Sequence, residues 1–137
     1  NWRKLIDGAG MQGYIGGYGV QDGCLEDSHL ENIATAIRMY GEKGLEVHIT
    51  EMAVRNFQKD DETIALHADF YGRLFDMFKR VNSGEQKPLT CVAIWGVTDH
   101  PTATGYNYNL LSPFGGLVTE KYEIKHAFQN VYDVLSK

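Results

Sequence analysis

Cysteine, proline and long apolar runs are scarce in this chain of 137 residues, and each shortage excludes something. There are 2 cysteines, Cys24 and Cys91, with neither a CxxC motif nor histidines at ligand spacing, so no disulfide framework or zinc ribbon is indicated. With 3 prolines there is no proline-rich linker and no collagen-like segment. No apolar run approaches the ~20 residues of a helical membrane span. Positive charge is also short. Lys+Arg number 13 against 18 Asp+Glu, a net charge of −5, which disfavours nucleic acid or an anionic membrane as partner. The N-terminal Asn1-Trp2-Arg3-Lys4 lacks an initiator methionine and a signal sequence. The expectation is a chain whose start was removed, or a piece of something longer.

What is present reads as a globular protein. Hydrophobics at 43% and charged residues at 23% are ordinary values, and the length alone suggests one domain. Fifteen glycines, 6 Phe, 2 Trp and 8 Tyr are less ordinary. Glycine beside tyrosine, as around Tyr14, Tyr18 and Tyr106, suits loops that line a binding surface.

Three strand-like runs cover 5–12, 45–51 and 90–98. The last two are β-branched and bounded by turn residues. A loop and a helical pattern follow each. Ser28 with Glu31 three residues on predicts a capping box, and Leu30, Ile33, Ala34 and Ile37 form an apolar stripe. Asp60 or Asp61 predicts the start of a second helix buried through Ile64, Ala68, Tyr71, Phe75, Phe78 and Val81. A last helix is expected over 122–135, facing inward through Ile124, Ala127, Phe128, Val131 and Leu135. The order β-α-β-α-β-α implies an α/β fold with a parallel sheet and helical crossovers. Segment 13–17 follows a strand, but no helix opens directly after it, so it is a poor phosphate loop. Pattern alone leaves two architectures open: a doubly wound sheet, or part of a (β/α)8 barrel.

In parallel α/β folds, reactive residues sit at the C-terminal ends of strands. Gln12, Glu51 and the segment from Trp95 to Asp99 lie there. Simple alternation places Val47, Ile49 and Glu51 on one face and His48 and Thr50 on the other, with His48 toward the helices. A lone strand-end glutamate more often caps a helix or pairs with a base than reacts. His29, His48, His67 and His126 lack a second ligand at useful spacing, and His100 reads as a solvated loop residue, so neither a metal nor a cofactor is indicated.

The words around these residues are recognisable. Val47-His48-Ile49-Thr50-Glu51 resembles the strand-seven signature of glycoside hydrolase family 10, the endo-β-1,4-xylanases. Ile6-Asp7-Gly8-Ala9-Gly10-Met11-Gln12 looks like that family's strand six, and Val92-Ala93-Ile94-Trp95-Gly96-Val97-Thr98-Asp99 like its strand eight. The segment from Glu123 to Leu135, with Lys125, Ala127, Phe128 and Val131, is similar to its closing helix. The matches keep the family's order across nearly the whole chain. The resemblance implies the last three βα units (strands 6–8) of a TIM (β/α)8 barrel. Residues 1–137 would then be the C-terminal portion of a single catalytic barrel whose N-terminal portion is absent.

The resemblance also implies roles. Glu51 corresponds to the nucleophile of a retaining hydrolase, which needs a second carboxyl group roughly 5–5.5 Å away as acid/base. The family's acid/base glutamate ends strand four, and no matching run exists here. Glu46, Glu120 and Glu123 are poor substitutes, so the chain alone is expected not to hydrolyse xylan. Trp95 corresponds to the floor of the sugar site and Gln12 to a glutamine near the nucleophile. Two departures stand together. The family usually has histidine where this chain has Tyr14, and aspartate where it has Ala53. Tyr14 is then expected to donate a hydrogen bond to Glu51. Tyr14 itself, Tyr18, Tyr106 and Tyr108 are candidate sugar contacts, whereas Arg55 and Asn56 are expected in a solvated loop. The implied partners are xylan or xylo-oligosaccharide and the N-terminal remainder of the barrel, and the implied location is extracellular or at the cell surface. Cys24 at the barrel top and Cys91 at the bottom are expected to be free. Two alternatives are a non-catalytic carbohydrate-binding domain derived from such a barrel, and a free-standing three-strand α/β module binding a small ligand.

Overall fold

The computed structural model describes residues 5–16, 24–100 and 113–137. Its strands β1 (Gly8–Ile15), β2 (Glu46–Val54) and β3 (Leu89–Ile94) alternate with helices α1 (Asp27–Gly41) and α2 (Asp61–Val81), and α3 (His126–Leu135) follows β3. The sheet order is β1-β2-β3, and both pairings are parallel. The expected α/β class with parallel strands is therefore what the chain adopts.

The core lies between one face of the sheet and the helices. Val47, Ile49, Met52 and Val54 of β2 are buried with Leu30, Ala34 and Ile37 of α1 and Phe70, Leu74 and Phe78 of α2. β1 is poor in β-formers, yet its glycines have a steric reason. A Cβ on Gly13 would stand 2.8 Å from Ile49 Cγ2 and 3.2 Å from Met52 Cα, so only glycine admits this approach. α2 starts where its sequence predicts. The Asp60 side chain accepts from the Thr63 amide at 2.9 Å, and that bond lowers the Asp60 pKa. Gly44, at φ +72°, reverses the chain between α1 and β2.

Two helix starts differ from the sequence reading. α1 begins at Asp27 with Glu26 at the N-cap, and the Ser28 capping box does not form. Arg73 of α2 explains the earlier start, because its guanidinium binds Asp27 Oδ1 at 2.7 Å and the Leu25 carbonyl at 3.0 Å. α3 begins at His126, because Tyr122 adopts φ +63° and the Thr119 hydroxyl accepts from the amides of Lys121 and Glu123. That turn leaves Ile124 65% exposed, and Leu135 is 58% exposed, so Ala127 and Val131 carry the buried stripe. α3 is also tied to α2 by Asn130 Nδ2, which donates to the Ala68 carbonyl at 2.8 Å.

Candidate active site

The geometry of the site begins with a break in alternation. Along β2, Val47 and Ile49 point into the helix-facing core, so His48 points to the opposite, open face with its side chain 49% exposed. This corrects the expectation that His48 faces the helices. Strict alternation would then send Glu51 into the core. It does not, because Met11 pairs with Ile49 while the next residue, Gln12, pairs with Glu51. Thr50 is the extra residue of a β-bulge, and Met52 resumes the buried row at 1% exposure. Thr50 Oγ1 donates to the Met11 carbonyl at 3.3 Å across this irregularity. Glu51 therefore shares the open face with His48, and Val47 and Ile49 do not.

On β1, Gly8, Gly10 and Gln12 are exposed and alternate with the more covered Ala9, Met11 and Gly13. Tyr14 continues the open row as a half-buried residue. Its hydroxyl donates to Glu51 Oε2 in a hydrogen bond, as the sequence reading expects. Tyr14 pairs in register with Ala53, and Gln12 pairs with Glu51. Thus Gln12, Tyr14 and Glu51 come together at the C-terminal end of two neighbouring strands. Trp95 follows β3 directly. Its amide donates to the Met52 carbonyl at 2.8 Å, next to Glu51, and the residue is 48% exposed. Gly96 then turns the chain at φ +77°. Tyr18, Tyr106 and Tyr108 lie outside the described residues.

The segment after β2 is more ordered than a solvated loop. Arg55 donates to the Gly16 carbonyl at 3.0 Å, and its guanidinium lies 4.0 Å from the centre of the Phe57 ring. Asn56 is 6% exposed; its Oδ1 accepts from the Gln58 amide, and its carbonyl accepts from the Phe114 amide. The expected solvated loop is therefore replaced by a packed connection. Cys24 and Cys91 are both free thiols. Partial burial raises the Cys24 pKa, and the nearby Arg55 charge offsets part of that rise.

Sequence reasoning gave no role to a buried polar group behind the site. Lys125 Nζ contacts Asp99 Oδ1 at 2.9 Å and Oδ2 at 3.0 Å, and it donates to the Phe114 carbonyl at 2.8 Å. Asp99 Oδ1 also accepts from the Gly116 amide at 2.9 Å. Beside this pair, His67 of α2 is 2% exposed with Nε2 3.1 Å from the Val54 carbonyl. Burial and then the Lys125 charge lower its pKa to about 4, against the opposing pull of hydrogen bonds to the Val54 and Gly115 backbone. The signal for Asp99 and Lys125 was present, since both lie inside segments that carry the family resemblance.

Chemically, a carboxylate held by a phenol stands in register with an amide residue at one strand end, and a half-exposed tryptophan follows the neighbouring strand. Such a set suits a hydroxyl-rich ring with an apolar C–H face. Among the described residues no group of three His, Cys, Asp or Glu is placed to hold a metal ion. No helix among them is long and apolar enough to cross a membrane.

Comparison with known proteins bears on the fold and the family. Endo-1,4-beta-xylanase B of Butyrivibrio fibrisolvens is 29% identical over 97 residues, which cover 71% of this chain and 14% of that protein. Native xylanase 10B from Thermotoga maritima superposes with a TM-score of 0.69 at 20% identity, covering 96% of this chain and 37% of that one. A mutant structure in complex with xylotriose superposes with a TM-score of 0.67 at 24% identity, covering 93% of this chain and 39% of that one. This chain therefore spans well under half the length of each relative. Residues 2–134 match the sequence profile of glycosyl hydrolase family 10, and the chain belongs to that family.

Proposed function

We propose that this chain is the C-terminal part, strands six to eight, of a (β/α)8 endo-1,4-β-xylanase, with Glu51 as the nucleophile of a retaining mechanism. The observation that carries this reading is the Tyr14–Glu51 hydrogen bond at the C-terminal end of the sheet, in a chain of this family. A free strand-end glutamate would argue little. One re-aimed by a bulge onto the open face and gripped by a phenol is held for use.

In this mechanism a Glu51 oxygen forms a bond to the anomeric carbon of a xylan chain as the bond to the leaving sugar breaks. The leaving oxygen takes a proton from an acid/base carboxyl group. Water then attacks the glycosyl-enzyme, gives its proton to that same group and releases Glu51. The acid/base group belongs to the N-terminal remainder of the barrel, which is this chain's principal partner. That remainder also pairs the outer edges of β1 and β3. Trp95 forms the floor under a sugar ring, and Gln12 bonds to its hydroxyls. The chain by itself does not turn over xylan. A polymeric substrate places the enzyme outside the cell or at its surface.

The test is made in the full-length protein. Glu51→Ala abolishes xylan hydrolysis, while binding of xylo-oligosaccharide persists. A 2-fluoro-xylobioside with a good leaving group labels the parent protein on Glu51, read by peptide mass. Unchanged hydrolysis by Glu51→Ala overturns the reading. The replacement of a histidine and an aspartate by Tyr14 and Ala53 favours a second reading, a sugar-binding barrel without turnover. A parent protein that binds xylo-oligosaccharide but neither hydrolyses xylan nor takes the label supports that second reading.

A further inference from the structure

We infer that His67 is a proton-operated latch between the strand that carries Glu51 and the segment that carries Trp95, so that mild acid loosens the two sides of the site from each other without unfolding the chain. What this says of sugar rests on the proposed function; the latch itself does not.

The latch closes on backbone. Val54 ends β2, three residues beyond Glu51. His67 of α2 places Nε2 3.1 Å from the Val54 carbonyl, and its ring is hydrogen-bonded to the Gly115 backbone as well. Tyr71, one turn further along α2 and 1% exposed, is also hydrogen-bonded to the Val54 backbone. Its ring stands edge-on to the imidazole, with 5.0 Å between centres. The Gly115 side of the latch is pressed onto the segment after β3. A Cβ on Gly116 would stand 2.6 Å from both the Asp99 nitrogen and the Thr98 carbonyl carbon. The Val97 carbonyl accepts from the Leu117 and Val118 amides at 2.8 and 3.1 Å. His67 thus ties the end of β2 to the 113–118 run and, through that run, to the segment that begins at Trp95.

The groups facing the ring favour its neutral form. Lys125, the N-cap of α3, brings its ammonium. Asp99, from the segment after β3, already holds that ammonium with both oxygens. β2 and the 113–118 run meet the ring with backbone, and α2 adds the Tyr71 ring. A neutral imidazole has one N–H, and a carbonyl facing Nε2 requires the proton there. A further proton would put a second cation into a junction that holds one carboxylate, on a ring that is 2% exposed. Burial and then the Lys125 charge resist it, which holds the pKa at about 4. Once the Val54 and Gly115 contacts part and water reaches the ring, that resistance is gone and the ordinary value of 6.5 returns. Protons therefore favour the parted state between these two values. From pH 7 to pH 5 its population rises by about 20-fold.

The test is amide hydrogen exchange in the full-length protein at pH 7 and pH 5, each rate divided by that of the unstructured peptide at the same pH. The parent is compared with His67→Gln, whose amide can still donate to the Val54 carbonyl but does not titrate. In the parent, normalised exchange over 95–99 and 113–118 rises by about 20-fold between the two pH values, while α1 stays protected. In His67→Gln it is flat. In the Glu51→Ala background, saturating xylo-oligosaccharide suppresses the rise, because the sugar spans both sides of the latch. A parent whose normalised exchange does not change with pH overturns the latch without need of any variant. So does an equal rise in His67→Gln, or a rise that α1 shares. A rise that bound sugar leaves untouched overturns the link between latch and site. A parent protein that binds no xylo-oligosaccharide at pH 7 overturns the proposed function, and the exchange comparison still decides the latch.

Discussion

The Lys125 ammonium sits 2.9 and 3.0 Å from the two carboxylate oxygens of Asp99, 26 positions earlier in the chain. Their side chains are 10% and 5% exposed. Asp99 closes the segment that begins at Trp95, and Lys125 occupies the N-cap position of α3. The ion pair thus joins the strand-end segment carrying the indole to the last helix. The Phe114 carbonyl and Gly116 amide complete its shell, so neither charge is left with a single bond.

Breaking such a pair from one side leaves a buried charge uncompensated. Lys125→Met in the full-length protein is expected to cost about 3–5 kcal/mol. Asp99→Asn retains the shape but leaves the Lys125 ammonium buried without its counter-charge, so it too is expected to destabilise by a comparable amount. Urea unfolding gives both values. Equal stability for Lys125→Met and the parent would mean that the pair is solvated in solution.

Gly13 tests the bulge. A methyl group there would meet Ile49 Cγ2 at 2.8 Å and Met52 Cα at 3.2 Å, on either side of the residues that re-aim Glu51. Gly13→Ala is expected to destabilise by about 1–3 kcal/mol, the usual cost of overpacking. It should also reduce activity beyond the loss of folded protein, because β2 must shift where Glu51 is set. Specific activity per folded molecule checks this. A fully active, destabilised variant would separate the bulge from the glycine.

That bulge also marks the limit of what the sequence revealed. The β-branched alternation of Val47 and Ile49 announces β2, and the apolar spacing of Leu30, Ala34 and Ile37 announces α1. Both depend on neighbours within a few positions. The face of Glu51 does not. It is decided by how β2 registers against β1, through a glycine 38 positions before Glu51 that alternation never consults. The same holds for α1, whose start is drawn from Ser28 to Asp27 by Arg73. Tyr14 and Glu51 were recognisable as partners because a motif preserves distant geometry in its wording. His67 was not, since one histidine in a helix looks the same whether buried or solvated.

Trp95 supplies a prediction about binding. The residue is 48% exposed, while its amide is fixed to β2 at Met52. Under the proposed function, Trp95→Ala removes an aromatic face from beneath a sugar. Xylo-oligosaccharide affinity of the full-length protein should fall about 5- to 200-fold, equivalent to roughly 1–3 kcal/mol. Calorimetric titration with a catalytically silent Glu51→Ala background measures it. Unchanged affinity would remove Trp95 from the sugar site.

His67 makes the stability of the fold depend on pH in a stated direction. The folded chain holds this imidazole at a pKa of about 4, below the ordinary value of 6.5. The unfolded chain therefore binds the proton more readily between those values. Stability contributed by neutral His67 is fully present above pH 6.5, and it declines as pH falls from there toward about 4. The full excursion is on the order of 3 kcal/mol, since each unit of pKa difference is worth about 1.4 kcal/mol. Because the ring is 2% exposed, little of this is screened by solvent. Urea unfolding of the full-length protein at pH 7 and pH 5 should reveal the loss. Replacing the ring by His67→Gln removes the titration, so the variant, although less stable at pH 7, should lose less between the two. An identical pH slope in parent and variant would show that other groups, and not His67, set the acid sensitivity of this fold.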